Sequence, residues 1–118
     1  MEEGFARQFA QHWVDAWNAH DLDAILSHYS EDFEMSSPVM VQLQISASGV
    51  LKGKTAIRSY WQQALQRWPD LRFELISVCV GVRSVVLHYR GARDRLVAEV
   101  FEFNAQCQVS RAMAHYAN

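Results

Sequence analysis

Residues 71–116 decide the fold: LRFELISVCV GVRSVVLHYR GARDRLVAEV FEFNAQCQVS RAMAHY. Apolar and polar side chains alternate through most of this stretch, and short turn-like segments interrupt the alternation. A period of two residues is typical of strands that bury one face. The pattern predicts an antiparallel meander of four strands over Leu71–Val80, Val82–Arg90, Leu96–Asn104 and Cys107–Tyr116.

The chain before this meander has helical periodicity. In residues 2–19 an aromatic side chain recurs at every fourth position from Phe5 to Trp17, which predicts an amphipathic helix. Asp21 is a natural N-cap for a short second helix, and a third is predicted over residues 54–67, ending before Pro69. The inward residues of the second helix are expected to be Leu22, Ile25, Leu26 and Tyr29.

Short strands are expected between the second and third helices, at Phe33–Ser36 and Val50–Lys52. The segment between them, Ser37–Ser48, contains Pro38 and is expected to be a long loop or an irregular strand. Helices followed by strands indicate a single α+β domain over residues 1–118, with helices on one face of a curved antiparallel sheet. A sheet that curls around a helix leaves a cavity, and this cavity is the expected site.

The composition is that of an ordinary globular protein. Half of the residues are apolar, a fifth are charged, and the formal net charge is −2. Basic side chains cluster only from Arg83 to Arg95, where we interpret them as solvated strand ends, so no nucleic-acid partner is expected. The acidic N-terminal residues and the absence of a long apolar run predict neither a signal peptide nor a membrane span, and hence a cytoplasmic protein.

Sulfur and imidazole side chains offer few sites. Cys79 and Cys107 lie in apolar, strand-like runs without C-x-x-C spacing, so buried free thiols are expected. The histidines lack metal-ligand spacing, and no metal is expected. His88 and His115 lie in predicted strands, where each either faces the cavity as a base near neutral pH or is a structural histidine.

Four short motifs occur in a fixed order between about Phe5 and Tyr116. The first is WNAHDLD at 17–23 with YSEDF at 29–33, and the second is GKTAIR at 53–58 with YW at 60–61. PDL at 69–71 and EVFEF at 99–103 are the third and fourth. In these motifs and in the order of its elements the chain resembles the SnoaL-like and ketosteroid isomerase-like superfamily.

The resemblance implies a cone-shaped fold, like that of nuclear transport factor 2 and the cystatins, with three helices and one pocket. It implies a small apolar or aromatic ligand, no cofactor, and a homodimer formed through the outer face of the sheet. In ketosteroid isomerase an Asp shuttles the proton while a Tyr and a protonated Asp hold the oxyanion. Those positions fall here at Ser37, Trp13 and Glu99, and only Glu99 keeps its chemical type. The resemblance also places Tyr29 near the pocket.

Glu99 stands out from the residues alone. Strand alternation places it on one face with Val97, Phe101 and Phe103, where a charged carboxylate is costly. Two hypotheses follow: a proton-transfer group whose pKa is raised by desolvation, or a structural ion pair with Arg111 or Arg90. The candidate ligand-binding residues are Trp13, Tyr29, Ser37, Trp61, His88, Phe101, Met113 and His115.

Three functions are compatible with this pattern. The first is a cofactor-independent isomerase, dehydratase or hydrolase that uses Glu99 on a small apolar substrate. The second is a non-catalytic binding module in which Glu99 only orients a ligand, and the third is a structural dimer with a vestigial pocket.

Overall fold

The computed structural model describes all 118 residues. The helices are α1 (Glu3–Asn18), α2 (Leu22–Leu26), α3 (Pro38–Gln42) and α4 (Lys54–Arg67). The strands are β1 (Tyr29–Ser36), β2 (Val50–Lys52), β3 (Glu74–Val80), β4 (Ser84–Arg90), β5 (Leu96–Phe103) and β6 (Val109–Tyr116). A short 3-10 turn, Ala92–Asp94, joins β4 to β5. The order of elements confirms the α+β class.

One six-stranded sheet has the order β2-β1-β6-β5-β4-β3. The meander β3–β6 is antiparallel throughout, as predicted. The expectation of a wholly antiparallel sheet is wrong, because β1 pairs with β6 in parallel. Most of the domain separates these two strands along the chain, so no hairpin constrains their relative direction.

The region around β1 differs from the expectation in two ways. Tyr29 opens β1 instead of ending the second helix, which stops at Leu26 with Ser27 as its C-cap. The segment after β1 contains α3, a fourth helix, where a loop or strand was expected. Ser37 caps α3 by accepting a hydrogen bond from the Val39 N–H at 3.2 Å, and Pro38 suits its first turn.

Helix α1 lies across one face of the sheet, here called the inner face. Its Phe9 ring packs edge-on against Phe101 and Phe103, with centroids 5.1 Å apart in both pairs. Trp13 packs likewise against Phe101 and Tyr89 at 5.3 and 5.2 Å. No helix combines the length and hydropathy that a membrane span requires. The opposite side of β3–β6 is the outer face, and no element of the chain covers it.

The prediction of two buried thiols is wrong. Cys79 is exposed on β3, which is the edge strand of the sheet. Cys107 is exposed in the turn between β5 and β6, at a left-handed φ of 59°. The apolar residues beside these cysteines made both look like core positions, but one lies on an edge strand and the other in a turn.

Candidate functional site

A cavity of about 290 Å³ lies between the inner face of the sheet and helices α1, α3 and α4. Of its 21 lining residues, 15 are hydrophobic. Glu99 is the one carboxyl group in the lining, and it is only 2% exposed. The exposed arginines Arg67, Arg93 and Arg95 lie at the mouth. The cavity therefore has an apolar wall, a buried acid and a basic mouth.

Strand register determines the position of Glu99. Its partners on the neighbouring strands are Leu87 and Ala114, and the small alanine side chain leaves room beside the carboxyl group. The Tyr89 hydroxyl donates a hydrogen bond of 2.7 Å to Glu99 Oε1. The ion-pair hypothesis is wrong, because both arginines that it invoked pair elsewhere. Arg90 lies 3.5 Å from Asp94, and Arg111 lies between Glu34 and Glu102.

Burial raises the pKa of Glu99 to about 7, and the hydrogen bond from Tyr89 works in the opposite direction. This confirms the expectation of a raised value, and the cause is desolvation on an apolar face. A carboxyl group that titrates near neutral pH is present in both its acid and its base form there, which suits proton transfer.

Three buried tyrosines and the partly buried Tyr116 lie around the carboxyl group. Burial raises the pKa of Tyr29, Tyr60, Tyr89 and Tyr116, so each stays a neutral O–H donor. The Ser37 hydroxyl lies beside those of Tyr60 and Tyr116 and partly opposes this shift in pKa. The site thus combines one ionisable acid with several phenolic hydrogen-bond donors.

Sequence reasoning missed the polar role of Tyr60, Tyr89 and Tyr116. A signal was present for two of them, because Tyr89 and Tyr116 are both cross-strand partners of Val97. Val97 shares a face with Glu99, so correct pairing of the meander would have placed both phenols next to the carboxyl group.

Glu99 and five of the other eight predicted site residues lie at or beside the cavity. Trp13 and Trp61 line it. Tyr29, Ser37 and Phe101 are buried behind the lining: the Trp13 N–H donates to the Tyr29 hydroxyl at 2.9 Å, and Phe101 packs on Trp13.

Three predicted residues do not reach the cavity. His88, Met113 and His115 lie on the outer face, because each alternates with inward neighbours along its strand. Leu87 and Tyr89 flank His88, and both are buried. Because these strands have apolar residues on both faces, the sequence did not show which face points into the cavity. In the structure the histidines lie on the other face.

The basic mouth of the cavity was also not predicted from the sequence. Arg93 and Arg95 were interpreted as solvated strand ends, yet both line the cavity together with Arg67 at the end of α4. Trp17 lines it as well, and its indole N–H is buried without a hydrogen-bond partner. No group of three or more His, Cys, Asp or Glu side chains has a geometry that could hold a metal ion.

The fold and the cavity between sheet and helices define a class of protein, and the family model for the SnoaL-like domain matches residues 10–117. The chain belongs to this family. It is 55% identical to a SnoaL-like protein of unknown function from Burkholderia thailandensis, with a TM-score of 0.96 and coverage of 99% of this chain and 98% of that one. No curated protein matches the chain.

More distant structures share the fold. A protein of unknown function with a cystatin-like fold from Methylobium petroleophilum is 14% identical, with a TM-score of 0.80 over 100% of this chain and 79% of that one. The epoxide hydrolase/cyclase-like enzyme SalBIII, which has a role in pyran ring formation in the polyether salinomycin, is 16% identical. Its TM-score is 0.76, with coverage of 98% of this chain and 91% of SalBIII.

Proposed function

We propose that this protein is a cofactor-independent enzyme that moves a proton within a small, largely apolar substrate, with Glu99 as the proton-transfer group. One observation carries the proposal: a carboxyl group that is 2% exposed, hydrogen-bonded to Tyr89 and without a cation partner lines an apolar cavity. An isomerisation or dehydration next to a carbonyl is the chemistry that suits such a group.

The proposed step uses only residues of this chain. Glu99 in its carboxylate form takes a proton from the carbon next to a substrate carbonyl, and the electron pair of the broken C–H bond moves onto the carbonyl oxygen. Tyr60 or Tyr116, both in the cavity lining, donates a hydrogen bond to that oxyanion. The Glu99 carboxyl then returns the proton to another atom of the substrate, so the group ends the cycle as it began.

The presence of Ser37 favours a mechanism in which Glu99 alone transfers the proton over one that uses a second acid. It stands where the resemblance places the proton shuttle, and it lies beside two tyrosine hydroxyls instead of acting alone. An alcohol at its ordinary pKa does not remove a proton from carbon. Glu99 must therefore both accept and return the proton.

The proposal is tested with 2-tetralone, an aromatic ketone with acidic α-hydrogens. The wild-type protein is expected to speed deuterium incorporation from D₂O, followed by proton NMR, with a rise centred near pH 7, the pKa of Glu99. Glu99→Gln should abolish the acceleration. Glu102→Gln is the matched control, because Glu102 lies on the same strand but the opposite face.

Binding is measured in parallel from the shift in melting temperature. A ketone that stabilises the wild-type protein without exchanging faster than in buffer contradicts the enzyme proposal. That outcome favours the binding module, in which Glu99 and the tyrosines only orient a ligand.

We further propose that two copies of the chain pair through the outer face. Its centre is a row of cross-strand neighbours, Cys79, Val86, Val100 and Met113, which no other part of the chain covers. An uncovered apolar row of this kind is typical of a self-complementary interface.

Light scattering should give a dimer mass for the wild-type protein and a monomer mass for Val100→Glu. Val82→Glu is the control, because Val82 is 86% exposed in the β3–β4 turn. A wild-type monomer at micromolar concentration contradicts this proposal.

A further inference from the structure

We infer that the ligand of this cavity is an amphipathic anion, whose apolar body fills the interior while its carboxylate or phosphate group is held at the mouth by Arg67, Arg93 and Arg95. The inference rests on the proposed use of the cavity as the functional site and adds the chemical class of its ligand. It depends on the charge of the mouth, whereas the proton-transfer proposal depends on the buried acid.

Two of the three arginines are held in place by aromatic rings, which do not neutralise their charge. Arg95 lies over the Tyr116 ring, with the guanidinium carbon 4.9 Å from the centroid, and Arg67 lies 5.6 Å from the centroid of Trp68. Stacking of this kind orients a guanidinium group and leaves N–H donors in its plane for an oxyanion. Arg95 uses its Nε–H on the Ala117 carbonyl at 3.2 Å, which leaves its terminal nitrogens.

Most of the other arginines of the chain differ from the three at the mouth. Arg7, Arg58, Arg90 and Arg111 each lie within 4.0 Å of a carboxylate, whereas the three at the mouth, like Arg72 and Arg83, form no ion pair. The only acid in the cavity lining is Glu99, which burial holds largely neutral below pH 7. The mouth therefore has an excess of positive charge that the protein itself does not offset.

The backbone of the β4–β5 turn supports the same conclusion. Arg93 and Asp94 both have left-handed backbones, at φ 59° and 62°. Residues with a side chain seldom adopt this region, and strain of this kind persists where the surrounding structure maintains it. Here it places an arginine at the rim of a cavity, where an asparagine or glycine would fit the turn with less strain.

An adjoining surface groove of about 540 Å³ shares Arg67 and Arg93 with the cavity. Unlike the cavity, this groove also contains Asp70, Glu74 and Asp94, and Asp94 pairs with Arg90. Positive charge is therefore offset less in the cavity lining than in the groove. Because the anion is attracted to the mouth and an ionised Glu99 repels it from the interior, the two charges fix the orientation of the ligand in the cavity.

The test uses three series of probes built on 2-naphthyl groups with short alkyl chains. One series ends in a carboxylate, one in a primary amide and one in a phosphate monoester. Dissociation constants are measured with the full chain by isothermal titration calorimetry at low and high salt. The acids or phosphates are expected to bind about tenfold more tightly than the amides of equal chain length. This advantage should shrink as the salt concentration rises.

Arg93→Asn removes the charge and keeps a residue that tolerates the left-handed turn. We expect it to reduce the preference for anions several-fold without lowering the melting temperature. Arg95→Gln is the second variant, and Arg83→Asn is the matched control, since Arg83 is exposed and does not line the cavity. A preference for carboxylate or for phosphate identifies the anion, and either one supports the inference.

Three outcomes overturn the inference. The first is that the amides bind as tightly as the acids. The second is that the preference for anions is unchanged in both arginine variants. The third is that none of the probes binds. None of these outcomes depends on deuterium exchange or on Glu99→Gln, so the anion inference and the proton-transfer proposal can fail separately.

Discussion

Glu99 and Glu102 lie three residues apart on β5 and face opposite sides of the sheet. Glu99 is 2% exposed, has no cation within reach and has a pKa raised to about 7 by burial. Glu102 is on the outer face, its side chain is 46% exposed, and it lies 3.8 Å from Arg111. The face of the strand therefore determines the role of a glutamate: on the inner face it is a candidate catalytic acid, and on the outer face it is a partner in a solvated ion pair.

The largest expected effect of this difference is on packing. Trp13→Ala on the inner side removes an indole that is 1% exposed and contacts Phe73, Tyr89 and Phe101. It should lower the free energy of unfolding by about 3–5 kcal/mol. Met113→Ala on the outer face should cost about 1 kcal/mol, because Met113 is only partly buried. Equal losses in urea denaturation would mean that the outer face is as well packed as the inner one.

The next effect is the pH dependence of stability. Because the pKa of Glu99 is higher in the folded chain than the ordinary 4.5, the folded state holds this proton more tightly. Stability from this group is fully present below about pH 4.5 and falls as the pH rises to about 7. Glu99→Gln should match the wild-type protein at low pH and be more stable above pH 7 by about 3 kcal/mol.

Glu102→Gln is the control for this experiment. It removes a half-exposed ion pair, so we expect a change of at most about 1 kcal/mol. If the difference in free energy of unfolding between the wild-type protein and Glu99→Gln is the same at pH 4.5 and pH 7, the raised pKa of Glu99 is contradicted.

A smaller effect comes from the hydrogen bond to Glu99. Tyr89→Phe removes the 2.7 Å donor, and the cost in stability should be about 1–2 kcal/mol. Because that hydrogen bond lowers the pKa of Glu99, its loss should raise the pKa further. Carboxyl-resolved NMR of Glu99 in the two proteins measures this shift. A lower pKa in Tyr89→Phe would show that Tyr89 favours the neutral form instead.

How much of this was predictable differs between the elements. The meander and the inward position of Glu99 followed from a period of two residues, which a strand expresses locally. The direction of β1 did not, because its pairing with β6 depends on contacts across most of the chain. His88 was ambiguous since apolar residues occupy both faces of β4, and parity there depends on where the turns fall.

The mouth of the cavity was the least predictable part. Arg67 ends α4 and Arg93 lies in the β4–β5 turn, so only tertiary packing brings them together. A sequence records their charge but not the left-handed turn that positions Arg93. The clustering of arginines between Arg83 and Arg95 was visible, and Arg93 and Arg95 are exposed as expected, but their place in the cavity lining was not predicted.

The smallest expected effect concerns the two thiols. Cys79 is exposed on the edge strand β3, opposite Val86, and Cys107 is exposed in a turn. Since neither is in the core, Cys79→Ser and Cys107→Ser should each change the free energy of unfolding by less than about 0.5 kcal/mol. In dilute native protein both thiols should react with a disulfide reagent within about tenfold of their rates in urea.

The labelling rate of Cys107 is also a reference for the outer face. A dimer formed there should slow the labelling of Cys79 relative to Cys107 as the protein concentration rises. A Cys79 thiol that already reacts slowly in dilute protein would mean that Cys79 is buried and that the outer face of the sheet is covered.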